Sequence, residues 1–283
     1  MRDRFLTGLI GYPIAHSAAP AMHEQAAAAL GARCHYQLIE VKGAGRDDLR
    51  AMLDGIRRLG FAGVNVTFPY KEAVVELLDD LALDARAIGA VNTIVVDGAR
   101  LVGHNTDATG FARAIEPLLA TAPRGPIALI GAGGVGKAIA FALASLGVTE
   151  LRIFDADTAK AAQLAAQLQD RHAVQAISVA AAVDGAAGLV NATPVGMLPS
   201  RDTPVPDALL RPSMWVADVV YTPLWTPLLT AAKAKGANVL TGRDLAINAS
   251  ADAFKLFTGL TPPHGAMANA FDAVMAARYS APA

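Results

Sequence analysis

The stretch Ile127-Ala128-Leu129-Ile130-Gly131-Ala132-Gly133-Gly134-Val135-Gly136 decides the fold. Four consecutive apolar residues read as a strand covered on both faces, the habit of a parallel sheet. They run straight into Gly-x-Gly-x-x-Gly. An apolar helix follows over Lys137 to Leu146, stopped at Gly147. A second short strand, Leu151 to Phe154, then ends at Asp155. Strand, glycine loop, helix, strand and acid, in that order, are the parts of a dinucleotide-binding βαβ unit.

Each part has a physical task. Gly131 permits the tight turn, Gly133 lets the backbone approach a pyrophosphate, and Gly136 lets the helix pack on the sheet. Ala132, Gly134 and Val135 complete the loop. The free N–H groups and the dipole at the helix start favour an anion. Asp155 lies 19 residues past Gly136, close to the ~20 expected of an acid that holds the adenosine ribose hydroxyls. A carboxylate there repels a 2′-phosphate, which favours NAD and makes NADP the lesser choice. A second reading stays open: Asp155, Asp157 and Thr158 are all residues that cap helices.

Outward from this unit the chain alternates short apolar runs with amphipathic stretches, the order of an α/β protein. Phe5 to Gly11, Tyr36 to Val41 and Gly63 to Thr67 read as strands. Pro20 to Leu30 and Asp47 to Leu59 read as helices stopped at Gly31 and Gly60, and Lys71 opens another. Pro117 to Pro126 reads as a helix end and a loop. Long helices return at Ala246 to Phe257 and Ala266 to Ala277. Two domains are expected: residues 1–110 plus 243–283, and residues 111–242 as the Rossmann-like, NAD-binding part.

Composition excludes several classes. Of 283 residues 53% are hydrophobic and 17% charged, so a large core forms and disorder is excluded. Lys plus Arg number 24 and Asp plus Glu 25, a balance with no general pull toward nucleic acid or anionic membrane. Mean hydropathy is positive at +0.36, yet Lys137, Asp184 and Asp218 break the most apolar stretches, so no run spans a bilayer. The apolar start is very short and meets Gly11-Tyr12-Pro13, which reads as a buried strand rather than a signal peptide. The single cysteine, Cys34, excludes an internal disulfide and a Cys-rich zinc site, fits a cytoplasmic setting, and reads as a buried, inert thiol. His16, His23, His35, His104, His172 and His264 show no metal-ligand spacing. His23 reads as a surface residue, with a place facing the substrate as the other choice. Trp215 and Trp225 read as packing residues.

Three polar residues ahead of residue 110 exceed what structure demands: Lys71, Asn92 and Asp107. Oxidising a carbinol by hydride loss needs a proton acceptor beside the carbon, and a lysine near an aspartate can supply it. Taken singly, each also reads as a solvated surface group.

The residues resemble the shikimate and quinate dehydrogenases nearly end to end. The likeness runs through Gly11-Tyr12-Pro13-Ile14-Ala15-His16-Ser17, Gly63-Val64-Asn65-Val66-Thr67-Phe68-Pro69-Tyr70-Lys71, Gly89-Ala90-Val91-Asn92-Thr93 and Gly103-His104-Asn105-Thr106-Asp107. It continues through the glycine loop, Asn191-Ala192-Thr193-Pro194-Val195-Gly196-Met197, Asp218-Val219-Val220-Tyr221-Thr222-Pro223 and Ala253-Phe254-Lys255-Leu256-Phe257-Thr258-Gly259. The resemblance implies an α/β substrate domain, a Rossmann-like domain and a cleft between them. It implies that Lys71 is the catalytic acid/base and that Asp107 holds the reacting hydroxyl. By the same likeness Ser17 binds the substrate carboxylate, while Thr67, Asn92 and Tyr221 contact its hydroxyls or carboxylate. Asn191, Thr193, Pro194 and Met197 line the nicotinamide side with Val219 nearby, and Gly242 closes the pocket where the chain returns to the first domain. NADP-using members carry an Asn-Arg-Thr run where this chain has Asp155-Ala156-Asp157-Thr158, which again favours NAD. The expected partner is a small ring acid, with neither nucleic acid nor membrane, and the assembly a monomer or homodimer.

Two departures stand out. The family reads His-Ser-x-Ser/Thr-Pro where this chain has His16-Ser17-Ala18-Ala19-Pro20. It also places a Gln where Ala249 stands, and neighbouring Asn248 and Ser250 point elsewhere on a helix. Two lost hydrogen bonds of about 1.5–3 kcal/mol each weaken shikimate binding by roughly two to four orders of magnitude if nothing compensates. Three readings follow: poor handling of shikimate, a pocket for another cyclic polyhydroxy acid, or water and other side chains filling the gaps. The loss also leaves room for a different class, a sensor that binds dinucleotide and ring acid without turnover.

Overall fold

The computed structural model describes residues 3–168, 173–263 and 265–280. His172 and His264 lie outside them. The chain forms two compact units, Met1–Thr106 with Ile247–Ala283, and Asp107–Ala246.

The first unit is built on a mixed six-stranded sheet. Its strands are β1 (Arg4–Gly11), β2 (Arg33–Glu40), β3 (Gly63–Val66), β4 (Asp80–Leu81), β5 (Thr93–Asp97) and β6 (Arg100–His104). They lie in the order β2-β1-β3-β5-β6-β4. β2, β1 and β3 are parallel, and β5 turns antiparallel to both β3 and β6. Helix α2 (Arg46–Arg58) buries Leu49, Leu53 and Ile56, at i, i+4 and i+7, against Val64, Val66, Ile94 and Leu101. Each such side chain contributes about 2 kcal/mol by leaving water. Helix α1 (Ala19–Ala29) buries Met22, His23, Ala26 and Ala27. It packs against α10 (Ala266–Ser280), so residues from both ends of the chain complete this unit.

Two expectations need correction here. The second strand begins at Arg33 rather than Tyr36, because Arg4 to Leu6 of β1 pair with Arg33 to His35. No α-helix opens at Lys71. The Lys71 carbonyl accepts the Val91 N–H at 2.8 Å, so it is spent on a neighbouring segment. Only a 3-10 turn forms, at Val75–Leu77, ahead of the short helix α3 (Leu83–Ile88).

The second unit is a parallel sheet of β7 (Ile127–Ile130), β8 (Leu151–Phe154), β9 (Ala173–Gln175), β10 (Gly188–Asn191), β11 (Trp215–Asp218) and β12 (Asn238–Leu240). Their order is β12-β11-β10-β7-β8-β9. This is the doubly wound arrangement, and strand order reverses between β7 and β10. The helices are α4 (Thr106–Leu119), which opens at the unit boundary, α5 (Gly134–Ser145), α6 (Thr158–Gln167), α7 (Val179–Val183) and α8 (Pro227–Ala234). Ile127 to Ile130 are all buried, as a central parallel strand requires. No helix among the described residues is long and apolar enough to cross a membrane.

Candidate active site

In the second unit the ends of β7 and β10 flank the reversal, the place where open α/β sheets bind ligands. Gly131 has φ +107°, and a Cβ there would lie 2.7 Å from the Ala192 carbonyl oxygen. A Cβ on Gly136 would lie 2.1 Å from the Gly131 carbonyl oxygen, so the helix meets the loop with no room for a side chain. Gly133 differs: a Cβ there would have nothing within 4 Å. It is the N-cap of α5, offers no capping side chain, and no acid follows in the first turn. The helix start is left for an anion at the place where a pyrophosphate would approach. Ala132 is buried; Gly134 and Val135 are half-buried.

Asp155 closes β8. Its Oδ2 accepts the Ala132 N–H at 2.7 Å, and its Oδ1 accepts the Asp157 N–H at 2.8 Å. The cap of α6 is Asp157, which accepts from Ala159 and Lys160. Asp155 therefore does not cap that helix; it ties the glycine loop to the end of the next strand. These residues fit a dinucleotide: an open glycine, an uncapped helix start and an acid one strand away.

Asn191, fully buried, organises the loop after β10. Its Oδ1 accepts the Thr193 N–H at 3.0 Å and the Thr193 hydroxyl at 2.7 Å, and its Nδ2 donates to the Val195 carbonyl at 3.1 Å and to Asp218 at 2.9 Å. Met197 N–H bonds to the Pro194 carbonyl, and Pro194 is exposed. Val219 N–H donates to the Asn191 carbonyl at 3.1 Å. Gly242, the first residue of α9 (Gly242–Thr258), backs onto this turn: a Cβ there would lie 2.5 Å from the Val219 carbonyl oxygen. Tyr221 is half-buried. Sequence reading assigned Asp218 no role, although an acid ending the buried run Trp215-Val216-Ala217 was a signal. So was Thr226-Pro227, a capping residue before an N1 proline.

In the first unit a hydrogen-bond chain crosses the sheet. The Tyr36 hydroxyl donates to Asn65 Oδ1 at 2.8 Å, and Asn65 Nδ2 donates to the Thr93 hydroxyl at 2.9 Å. Thr93 donates to Asn92 Oδ1 at 3.0 Å. That same oxygen accepts the Thr106 N–H at 2.7 Å, and Asn92 Nδ2 donates to the Thr106 hydroxyl. Asn92, buried, thus fixes the start of α4, whose second residue is the buried Asp107. Lys71, half-buried, is held beside Asn92 through its carbonyl bond to Val91. Thr67 donates its N–H to the Ile10 carbonyl at the end of β1. Ser17 Oγ accepts the Ala19 N–H at 3.2 Å, so this hydroxyl stands at the start of α1. Ala249 is buried on α9.

His23 is not a surface residue. It is 0% exposed, with ring centroids 4.6 Å from Tyr36 and 5.9 Å from both Phe254 and Phe257. Neither ring nitrogen has a hydrogen-bond partner, and burial pushes its pKa down to about 3. Its place on the apolar face of α1, four residues after Ala19, was the missed signal. Cys34 is half-buried rather than buried; its thiol bonds to Thr7 at 3.3 Å, and burial raises its pKa. No cluster suited to a metal ion occurs among the described residues.

A doubly wound sheet with an open glycine loop, joined in sequence to a second α/β unit, is the arrangement of a two-domain dinucleotide-binding protein. Comparison narrows it. Residues 9–94 match the shikimate dehydrogenase substrate binding domain, and residues 126–213 match the family described as NADP oxidoreductase, coenzyme F420-dependent. The quinate/shikimate dehydrogenase (NAD(+)) of Corynebacterium efficiens is 44% identical over 270 residues, covering 92% of this chain and 95% of that one. The shikimate dehydrogenase (NADP(+)) of Streptomyces avermitilis is 43% identical, covering 92% of each. The structure of quinate dehydrogenase from Corynebacterium glutamicum in complex with NAD superposes with a TM-score of 0.86 at 41% identity, covering 96% of this chain and 100% of that one. The chain belongs to the shikimate/quinate dehydrogenase family and is an oxidoreductase; the sensor reading is not favoured.

Proposed function

We propose that the protein interconverts shikimate, or a quinate-like cyclic hydroxy acid, and its 3-dehydro ketone with NAD. Bound nicotinamide supplies the hydride acceptor in one direction and the donor in the other. Lys71 removes the proton from the hydroxyl as the carbonyl forms and returns it in reverse. Asp107 is the partner of Lys71 and holds the reacting hydroxyl in place. Ser17 donates to the substrate carboxylate, assisted by the start of α1, and Thr67, Asn92 and Tyr221 bind the remaining oxygens. Gly131 to Gly136 receive the pyrophosphate. Asn191, Thr193, Pro194, Met197, Val219 and Gly242 shape the nicotinamide end.

One observation supports NAD over NADP above the others: the Asp155 carboxylate, fixed at 2.7 Å on the Ala132 N–H beside the glycine loop. A 2′-phosphate brought there meets a like charge with no cation among its hydrogen-bond partners. The test is a steady-state panel of shikimate, quinate and amino-substituted ring acids with each cofactor. Turnover with NAD at a kcat/KM at least about tenfold above NADP is expected, the worth of roughly 1.4 kcal/mol. Equal use of NADP overturns the cofactor assignment, and silence across the panel overturns the reaction.

A further inference from the structure

Resting on the reading that residues 191–197 and 219 face the nicotinamide, we propose that Asp218 is the positioning residue of that end of the site. Its carboxylate joins three separate segments. Oδ1 accepts Asn191 Nδ2 at 2.9 Å and the Val220 N–H at 3.0 Å, and Oδ2 accepts the Thr226 hydroxyl at 2.7 Å. The side chain therefore ties the end of β10, the turn after β11 and the cap of α8 to one point.

The consequences spread by geometry. Asn191 can present its oxygen to Thr193 only while its amide nitrogen is held the other way, and Asp218 is one of the two acceptors holding it. The Val220 bond folds the chain back directly after Val219, whose N–H stays on the Asn191 carbonyl. Thr226 in turn accepts the Leu229 N–H at 3.2 Å, so its hydroxyl has a fixed direction in which to donate. All three partners of Asp218 are donors, so the arrangement calls for the ionised carboxylate. Asp218 is 3% exposed. Burial pushes its pKa up to about 6, against the pull of Val220, Thr226 and Asn191, which leaves the charged form prevailing at neutral pH. A buried charge held by three donors is a costly device for stability alone. Here it sets the positions of two loops, while the glycine loop and Asp155 are built without it.

The test separates the two ends of the cofactor. ADP-ribose carries the pyrophosphate and the adenosine but no nicotinamide. In Asp218→Asn the amide oxygen still accepts on one side, but the amide nitrogen faces the Thr226 hydroxyl. We expect kcat with NAD to fall about 10- to 100-fold, while the dissociation constant of ADP-ribose stays within about twofold. Thr226→Val should move kcat in the same direction by a smaller factor, and Thr226→Ser, which keeps the hydroxyl, should match the unaltered enzyme. Unchanged kcat in Asp218→Asn overturns the proposal. So does a parallel loss of ADP-ribose binding, which marks a structural role. Should Asp218→Asn fail to fold, the two Thr226 variants decide: equal kcat in both overturns it. An unaltered protein that binds neither NADH nor ADP-ribose defeats the functional reading itself, and this proposal with it.

Discussion

In the second unit every residue of β7, β10 and β11 is buried, and polar side chains enter only at the final positions, Asn191 and Asp218. In the first unit polar groups run through the sheet itself: Thr7 in β1, Tyr36 in β2, Asn65 in β3 and Thr93 in β5, with Asn92 just before it. The nucleotide half is shaped mainly by backbone, through glycines that a side chain would displace. The substrate half is shaped by side chains whose donors and acceptors satisfy one another. A sheet of the first kind is a general receptor for a phosphate. One of the second kind fixes the directions of a few particular groups and so selects a substrate.

The sharpest way to break this contrast is Lys71→Ala. A side-chain-built half loses its chemistry with one group, so kcat should fall about 10²- to 10⁴-fold while NADH binding, titrated by fluorescence, stays within about twofold. Near-normal turnover removes Lys71 from its assigned task.

The next effect comes from His23, the one side chain of the first unit whose nitrogens are both buried and unpaired among the described residues of that unit. An unfolded chain protonates it near 6.5; the folded chain does so only near 3. Stability from this residue is complete above 6.5 and is lost as pH falls toward 3, on the order of 4 kcal/mol in all. Asp218 works the other way, since its folded value of about 6 lies above the ordinary carboxylate. Its contribution is greatest below pH 3.8 and declines as pH rises through 6. Urea unfolding of His23→Leu against the unaltered protein should show a difference that is constant above pH 6.5 and moves in favour of the variant in acid. A difference independent of pH means that the ring is not held neutral.

Two glycines test the backbone-built half. Gly136→Ala places a methyl 2.1 Å from a carbonyl oxygen and should cost about 1–3 kcal/mol of stability along with cofactor affinity. Gly133→Ala meets open space. It should leave the melting temperature within about 2 °C and weaken only the dinucleotide. If both variants are equally stable, the loop is not limited by its own backbone. The smallest effect expected is for Ala19→Ser. It adds a hydroxyl at the start of α1 and should lower KM for shikimate several-fold, roughly the worth of one modest hydrogen bond. No change in KM favours a substrate that makes no use of that position.

The same contrast explains what the sequence disclosed. Ile127 to Gly136 was legible because a buried strand followed by spaced glycines has few other meanings. The helix stops at Gly31, Gly60 and Gly147 were legible too, each with φ between +70° and +82°. The Asn65 and Thr93 links were not, because an Asn inside Gly63-Val64-Asn65-Val66-Thr67 announces no partner and its partners lie on other strands. His23 misled for a related reason. Its own helix is apolar on the buried face, but the aromatic rings around it come from residues 36, 254 and 257, far apart along the chain. The absent helix at Lys71 depended on where Val91 would come to lie. Local pattern carries local structure, and bonds across the sheet are set by register.

The first unit is interrupted: its opening residues must wait for Ile247 onward, and α1, which also lies on β2, meets α10 only when the last helices are made. During translation all six strands of the first unit, Arg4 to His104, leave the ribosome before the inserted unit's first strand at Ile127, yet the inserted unit is complete at Ala246, before the first unit's last helices are made. The part of α1 that α10 covers stays open through the making of more than two hundred residues, from Ala29 to Ala266. A newly made chain is thus a finished nucleotide fold trailing an unfinished companion, and that interval is when it most needs a chaperone's cover.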